Sequence, residues 1–226
     1  MLPIGGNAVW GNKTWAPDDK PDQKYSYGTF INFRVKNSTH SPANLTVEEA
    51  LPYLFEHSDT WYKDSVLHSY SHGVAHTREE VERNQKNPSK WINPLETRLP
   101  YAPHLKIYCF YGIGKPTERA YYYRDDTDPT SKMNTTIDTA FSSGEVDHGV
   151  VMGEGDGTVS LLSSGYMCSK GWKMKRYNPA GVQIKTYEMP HEPDRFSPRG
   201  GPNTGRRLLM SVHLGRESFA ADIKFR

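Results

Sequence analysis

The chain has 226 residues, with 28 lysines and arginines against 26 acidic residues and a formal net charge of +2. That balance is too close to neutral to draw nucleic acid by bulk electrostatics, and no run approaches the ~20 consecutive apolar residues that cross a bilayer. Glycine takes 19 positions, proline 16 and hydrophobic residues only 35%, so the core is expected to be modest.

The stretch to about Pro100 is polar, rich in turn residues and broken by prolines. Thr46-Val47-Glu48-Glu49 has the order of a capping box, in which hydroxyl and carboxylate satisfy backbone N–H groups reciprocally. Leu51, Leu54 and Phe55 then supply an apolar face, and Pro52 is expected to kink or shorten the helix by removing a hydrogen bond. Thr77-Arg78-Glu79-Glu80 repeats the signal and opens a charged helix that Asn87-Pro88 terminates.

From Leu105 the character changes. Lys106 to Tyr111 is a dense aromatic and β-branched run stopped by Gly112 and Gly114, which predicts a buried strand. Ala120 to Tyr123 is a second strand, Asp125 to Ser143 a turn-rich surface loop, and Val182 to Met189 a third, alternating strand.

The strongest local signal for chemistry is Gly153-Glu154-Gly155-Asp156-Gly157-Thr158-Val159. Glycines on both sides permit a tight turn that leaves one carboxylate at the mouth of a sheet, where it can fix a histidine tautomer and stabilise the imidazolium. The competing reading is an ordinary Asp-Gly turn. A calcium loop fails, because its first and last ligands would be Met152 and Ser163.

No G-x-S-x-G elbow for a serine nucleophile is present. The nearest approach, Ser69-Tyr70-Ser71-His72-Gly73, follows a mixed polar stretch and makes Ser71 a loop or turn serine. His68, His72 and His76 recur every four residues, a metal-site spacing on a helix, but Gly73 weakens that helix. No metal is therefore expected. Four N-x-S/T acceptors, at Asn12, Asn37, Asn44 and Asn134, point to a secretory compartment. The two cysteines, Cys109 and Cys168, form either one disulfide or two buried thiols, as redox compartment decides.

Three stretches in order, LPYAPHLKIYCFYGIGKPTERAYYYRDD, GEGDGTVSLLSSGYMC and YNPAGVQIKTYEMPHEPDRFSPRGGPNTG, resemble the lecithin:cholesterol acyltransferase family, in the branch that passes acyl groups from phospholipid to diacylglycerol. The resemblance runs from Met1 through Gly205. It implies an α/β fold, a partial α/β hydrolase with cap elements over 1–100, the C-terminal part of the core over 101–205, and a divergent tail over 206–226. It further implies Asp156 as the acid of a serine–histidine–acid triad, a Cys109–Cys168 disulfide, a setting in the lumen of the endoplasmic reticulum, and no cofactor. The implied partners are a phospholipid donor and a diacylglycerol acceptor, with membrane contact only through a part upstream of Met1.

The chain departs from the family's pattern in two places. The family's nucleophile lies upstream of Met1, and its D-H-V-D-I-L-type histidine motif after GGPNTG is replaced here by Arg206 to His213. His213, a few residues late, is a substitute base, although the tail reads more simply as a shifted frame or misplaced exon. The chain alone is therefore expected to be an inactive fragment, and the competing function is a non-catalytic lumenal protein that binds lipid or another subunit.

Overall fold

The computed structural model describes residues 2–21, 23, 25–34, 43–128, 130 and 135–191. The architecture is mixed α/β. Its first elements are a short helix α1 (Gly6–Trp10), strand β1 (Ile31–Phe33) and helices α2 (Val47–Glu56), α3 (Thr60–Ser69) and α4 (Arg78–Asn84). There follow β2 (Lys106–Ile113), β3 (Lys115–Asp125), β4 (Thr135–Ile137), β5 (Val146–Asp147), β6 (Val150–Gly155), α5 (Leu161–Ser169) and β7 (Gln183–Pro190).

Both capping boxes start helices. The Glu49 carboxylate accepts the Thr46 N–H at 2.8 Å, and Thr77 and Glu80 exchange bonds of 3.2 Å in both directions. Pro52 lies inside α2 and does not end it, because the proline faces solvent, where water can take the carbonyl it orphans. The buried face of α2 is Val47, Ala50, Leu51 and Phe55, and Leu54 is only partly buried against a second cluster.

The strands make two sheets. In the larger, β3 is central: it pairs parallel with β1 and antiparallel with β4 and β6, and β5 pairs with β6. In the smaller, β2 and β7 run parallel with Cys109 opposite Thr186 and Ile113 opposite Pro190. The connection from β2 to β7 contains the β3–β6 excursion and then α5, which packs on both strands as a crossover helix.

Packing crosses residue 100. Val9, Trp10, Val47, Leu51, Phe55 and Leu95 form one buried cluster with Leu162 and Tyr166 of α5, and Ala75 and Val81 form another with Tyr177. Each fully buried aliphatic or aromatic side chain of this kind contributes about 1.5–3 kcal/mol, so α5 and the N-terminal helices depend on one another.

The chain departs from sequence expectation in four places. β2 continues through Gly112 to Ile113, and it is not buried on both faces: Cys109 and Tyr111 are covered, whereas Tyr108 and Phe110 are exposed. The segment expected as a surface loop contains β4, with Thr135 and Asp138 buried and Arg34 paired to Asp138 at 2.8 Å. β1 and α3 lie in the stretch read as turn-rich.

Candidate active site

The β6 strand delivers Asp156 to the rim of the smaller sheet. Gly155 is required there because a Cβ would lie 2.4 Å from the Val159 carbonyl and 2.5 Å from the Thr117 hydroxyl. Gly157 is required because its φ is +93°, a region L side chains rarely enter. The aspartate fixes its own turn: Oδ1 accepts the N–H of Thr158 at 2.8 Å and of Val159 at 2.7 Å. This much is the ordinary Asp-Gly turn. Among the described residues none bonds the other oxygen, Oδ2, and the side chain is exposed.

Position adds what the turn alone lacks. Parallel strands β2 and β7 finish side by side, and Asp156 packs on β2 near that end, with its Cβ 3.0 Å from where a Cβ of Gly112 would stand. The carboxylate thus sits at the C-terminal edge of a parallel pair, the place where open α/β sheets bind ligands. It does not follow a strand of that pair directly, since the excursion that leaves at Lys115 intervenes and returns through β6. Gly114 donates its N–H to Glu154, and Lys115 forms a β-bridge with Asp156, so the two feet of the excursion are tied together.

Other polar groups border the rim. Tyr111 donates to Glu188 at 3.0 Å, and burial, with Glu188 beside it, raises the pKa of the phenol well above its ordinary value. His191 continues the parallel ladder by donating its N–H to the Ile113 carbonyl at 2.8 Å. Its Cβ comes within 4.0 Å of a Cβ placed on Gly114. Sequence reasoning passed over His191, because a histidine between two prolines has no periodicity or motif to distinguish it.

The remaining predicted positions divide. Cys109 and Cys168 are joined in a disulfide with a Cα–Cα separation of 6.4 Å, tying β2 to α5. Asn12 is exposed at a turn, where its side-chain oxygen accepts the Thr14 N–H at 3.0 Å and the Trp15 N–H at 3.2 Å, and the partly buried Asn44 accepts the Phe33 N–H at 3.0 Å. Asn37, Asn134 and His213 lie outside the described residues. Ser71 is buried in an irregular stretch, donates to Glu96 and accepts from Lys90 at 3.2 Å, while Lys90 pairs with Glu96 at 2.7 Å. That cluster locks two loops together. α3 ends at Ser69, so His68, His72 and His76 do not share a helix, and the described residues contain no cluster of three metal-ligating side chains. No described helix is long and apolar enough to cross a membrane.

A family model described as lecithin:cholesterol acyltransferase matches residues 1–214. The phospholipid:diacylglycerol acyltransferase of Schizosaccharomyces pombe is 44% identical over 214 residues, which is 94% of this chain and 33% of the relative. The protein of that name in Saccharomyces cerevisiae is 39% identical over 219 residues, 95% of this chain and 32% of its own. Phospholipid:diacylglycerol acyltransferase 1 of Arabidopsis thaliana is 41% identical over 264 residues, covering 85% and 39%. The chain thus spans about a third of the length of the curated relatives it matches.

Proposed function

The chain belongs to the lecithin:cholesterol acyltransferase family, and on that footing we propose that it supplies the acid of a triad that transfers a fatty acyl group from phospholipid to diacylglycerol. The observation that carries the reading is the carboxylate of Asp156, held by its own turn at the C-terminal rim of β2 and β7. The names of the relatives suggest the substrates, and the position of the carboxylate at the rim is what supports the role.

In this mechanism a serine oxygen attacks the ester carbonyl and gives its proton to a histidine. The tetrahedral adduct then expels the lysophospholipid oxygen, which takes that proton, leaving an acyl-serine. The diacylglycerol hydroxyl next loses its proton to the same imidazole and attacks the acyl-serine, releasing triacylglycerol and returning the proton to serine. Asp156 stays ionised throughout and steadies the imidazolium formed in each half. The residues 1–226 offer no elbow serine, so we assign them no turnover by themselves. His213 is the tail's candidate for the base, and His191 is a histidine already placed at the rim. The setting is the lumen of the endoplasmic reticulum, in keeping with the exposed acceptor at Asn12 and the disulfide.

The test is a chimera in which residues 1–191 replace the matching stretch of the Schizosaccharomyces pombe relative, leaving that protein its own nucleophile and downstream histidine. Transfer from labelled phospholipid to diacylglycerol is expected, with a loss of about 10⁴-fold in Asp156→Asn, the scale seen when a triad acid loses its charge. An inactive chimera, or one indifferent to Asp156→Asn, overturns the assignment. A second chimera carrying residues 1–226 to its C-terminus reads out His213 through His213→Ala.

A further inference from the structure

The turn that carries Asp156 is nearly closed on itself. The Asp156 N–H goes to the Val159 carbonyl at 3.2 Å, and those of Thr158 and Val159 go to the Asp156 carboxylate. Among the described residues, only the Gly157 N–H leaves the turn for a side chain. It donates to the Thr117 hydroxyl at 2.7 Å, and that hydroxyl donates to the Lys115 carbonyl at 2.9 Å. Thr117 belongs to β3, stands opposite Gly153 and is 2% exposed. Its hydroxyl is therefore fully committed, with its one proton spent on Lys115 and a lone pair on Gly157. The threonine comes this close because Gly155 has no Cβ, which would lie 2.5 Å from the hydroxyl oxygen.

We propose that Thr117 is a positioning residue for acyl transfer, whose hydroxyl sets the tilt of the 156–159 turn against β3 and so the direction in which the Asp156 carboxylate meets the histidine. The inference rests on the triad reading of Asp156. The turn's internal bonds fix the carboxylate relative to its own backbone, but they leave open where the turn as a whole points. Thr117 bonds the residue next to the acid on one side, and on the other the carbonyl of Lys115, the residue bridged to that acid. One hydroxyl thus joins the outgoing strand of the excursion to the turn on its return. Without it the Gly157 N–H and the Lys115 carbonyl lose their shared partner, and the turn gains by rotating the N–H toward water. Gly157, whose φ is +93°, has no side chain to resist that rotation.

The experiment uses the chimera with the Schizosaccharomyces pombe relative. Thr117→Val, which keeps the shape and removes the hydroxyl, should lower kcat about 100-fold with little change in KM, the scale of a 1 Å misplacement. A carboxylate beside an imidazole favours its charged form, so a retreating Asp156 lets the pKa of the base fall and moves the acid limb of the kcat/KM profile to lower pH. Thr117→Ser should restore both the rate and the limb. In the Asp156→Asn background Thr117→Val should cost nothing further, because no charge is left to aim. If Thr117→Val is not recovered folded, Thr117→Ala, which leaves room for a water between Gly157 and Lys115, gives the same readouts with a smaller loss in the same direction. A parent kcat, an unmoved acid limb or an equal loss in Asp156→Asn overturns the positioning role and leaves the triad standing. Transfer that ignores Asp156→Asn removes the triad, and the positioning role with it.

Discussion

Gly112 and Asp156 meet across the ends of two different sheets, the glycine in β2 and the aspartate one residue beyond β6. The contact is closer than a side chain at position 112 allows, because a Cβ there would lie 3.0 Å from the Cβ of the acid.

Gly112→Ala should therefore displace Asp156 by a few tenths of an ångström and destabilise the chain by about 1 kcal/mol, at the low end for overpacking. The amide resonances of Thr158 and Val159, which donate to Asp156, should shift while those of α2 stay in place. Unchanged Thr158 and Val159 signals would show that the turn does not rest on the glycine.

The disulfide closes a loop with a sequence separation of 59 residues. Cys168→Ala should cost about 4 kcal/mol in the chain-entropy account, read from urea melts under oxidising conditions. Reducing agent should bring the parent chain to the same midpoint and leave the variant unmoved. An effect of reductant on Cys168→Ala would point to another source.

Arg119 is 1% exposed and makes a two-pronged ion pair with Asp18 at 2.7 and 3.0 Å, while donating to the Trp10 carbonyl at 3.1 Å. It pins the loop after α1 to β3. Asp18→Leu should cost about 3–5 kcal/mol by stranding a buried guanidinium, and adding Arg119→Met should recover a large part of that loss. Purely additive losses in thermal melts of the two single variants and the double would show that the pair is not coupled.

Glu49 is held below its ordinary pKa first by the hydrogen bond from Lys13 and then by the Thr46 N–H. A depressed carboxylate stabilises the fold in full above its unfolded-state pKa, and that contribution is lost as pH falls through the folded value. Because the pair is exposed, Glu49→Gln should cost only about 0.5 kcal/mol at pH 7. The difference from the parent chain should close below about pH 4. A gap that persists or widens in acid would contradict the sign.

The parts of the fold that were legible in the sequence are those where a local rule and tertiary packing agree. Thr46 and Thr77 announce their helices because capping is decided within four residues. Lys106 to Tyr111 and Val182 to Met189 announce strands because β-branched and aromatic residues crowd there. α3 was invisible, having no buried residue and hence no apolar stripe to count. β1 was invisible for the opposite reason, since three consecutive buried residues in a parallel pairing show no alternation. Asp156 stood out through its flanking glycines, but nothing local could say that a distant strand, β2, would need a glycine of its own to receive it. His191 acquires interest only from the register of β2 and β7, which no single segment encodes.

The tied feet of the β3–β6 excursion have a consequence for how such a protein can change. Gly114 is bonded to Glu154 and Lys115 is bridged to Asp156 at the base, and farther out β1 and the Arg119–Asp18 pair hold β3, so the excursion is anchored twice before its far connection begins. Its far end can lengthen, shorten or exchange its contacts without transmitting that variation to the acid. New contacts can be grafted at the tip while the turn at the root stays as it was.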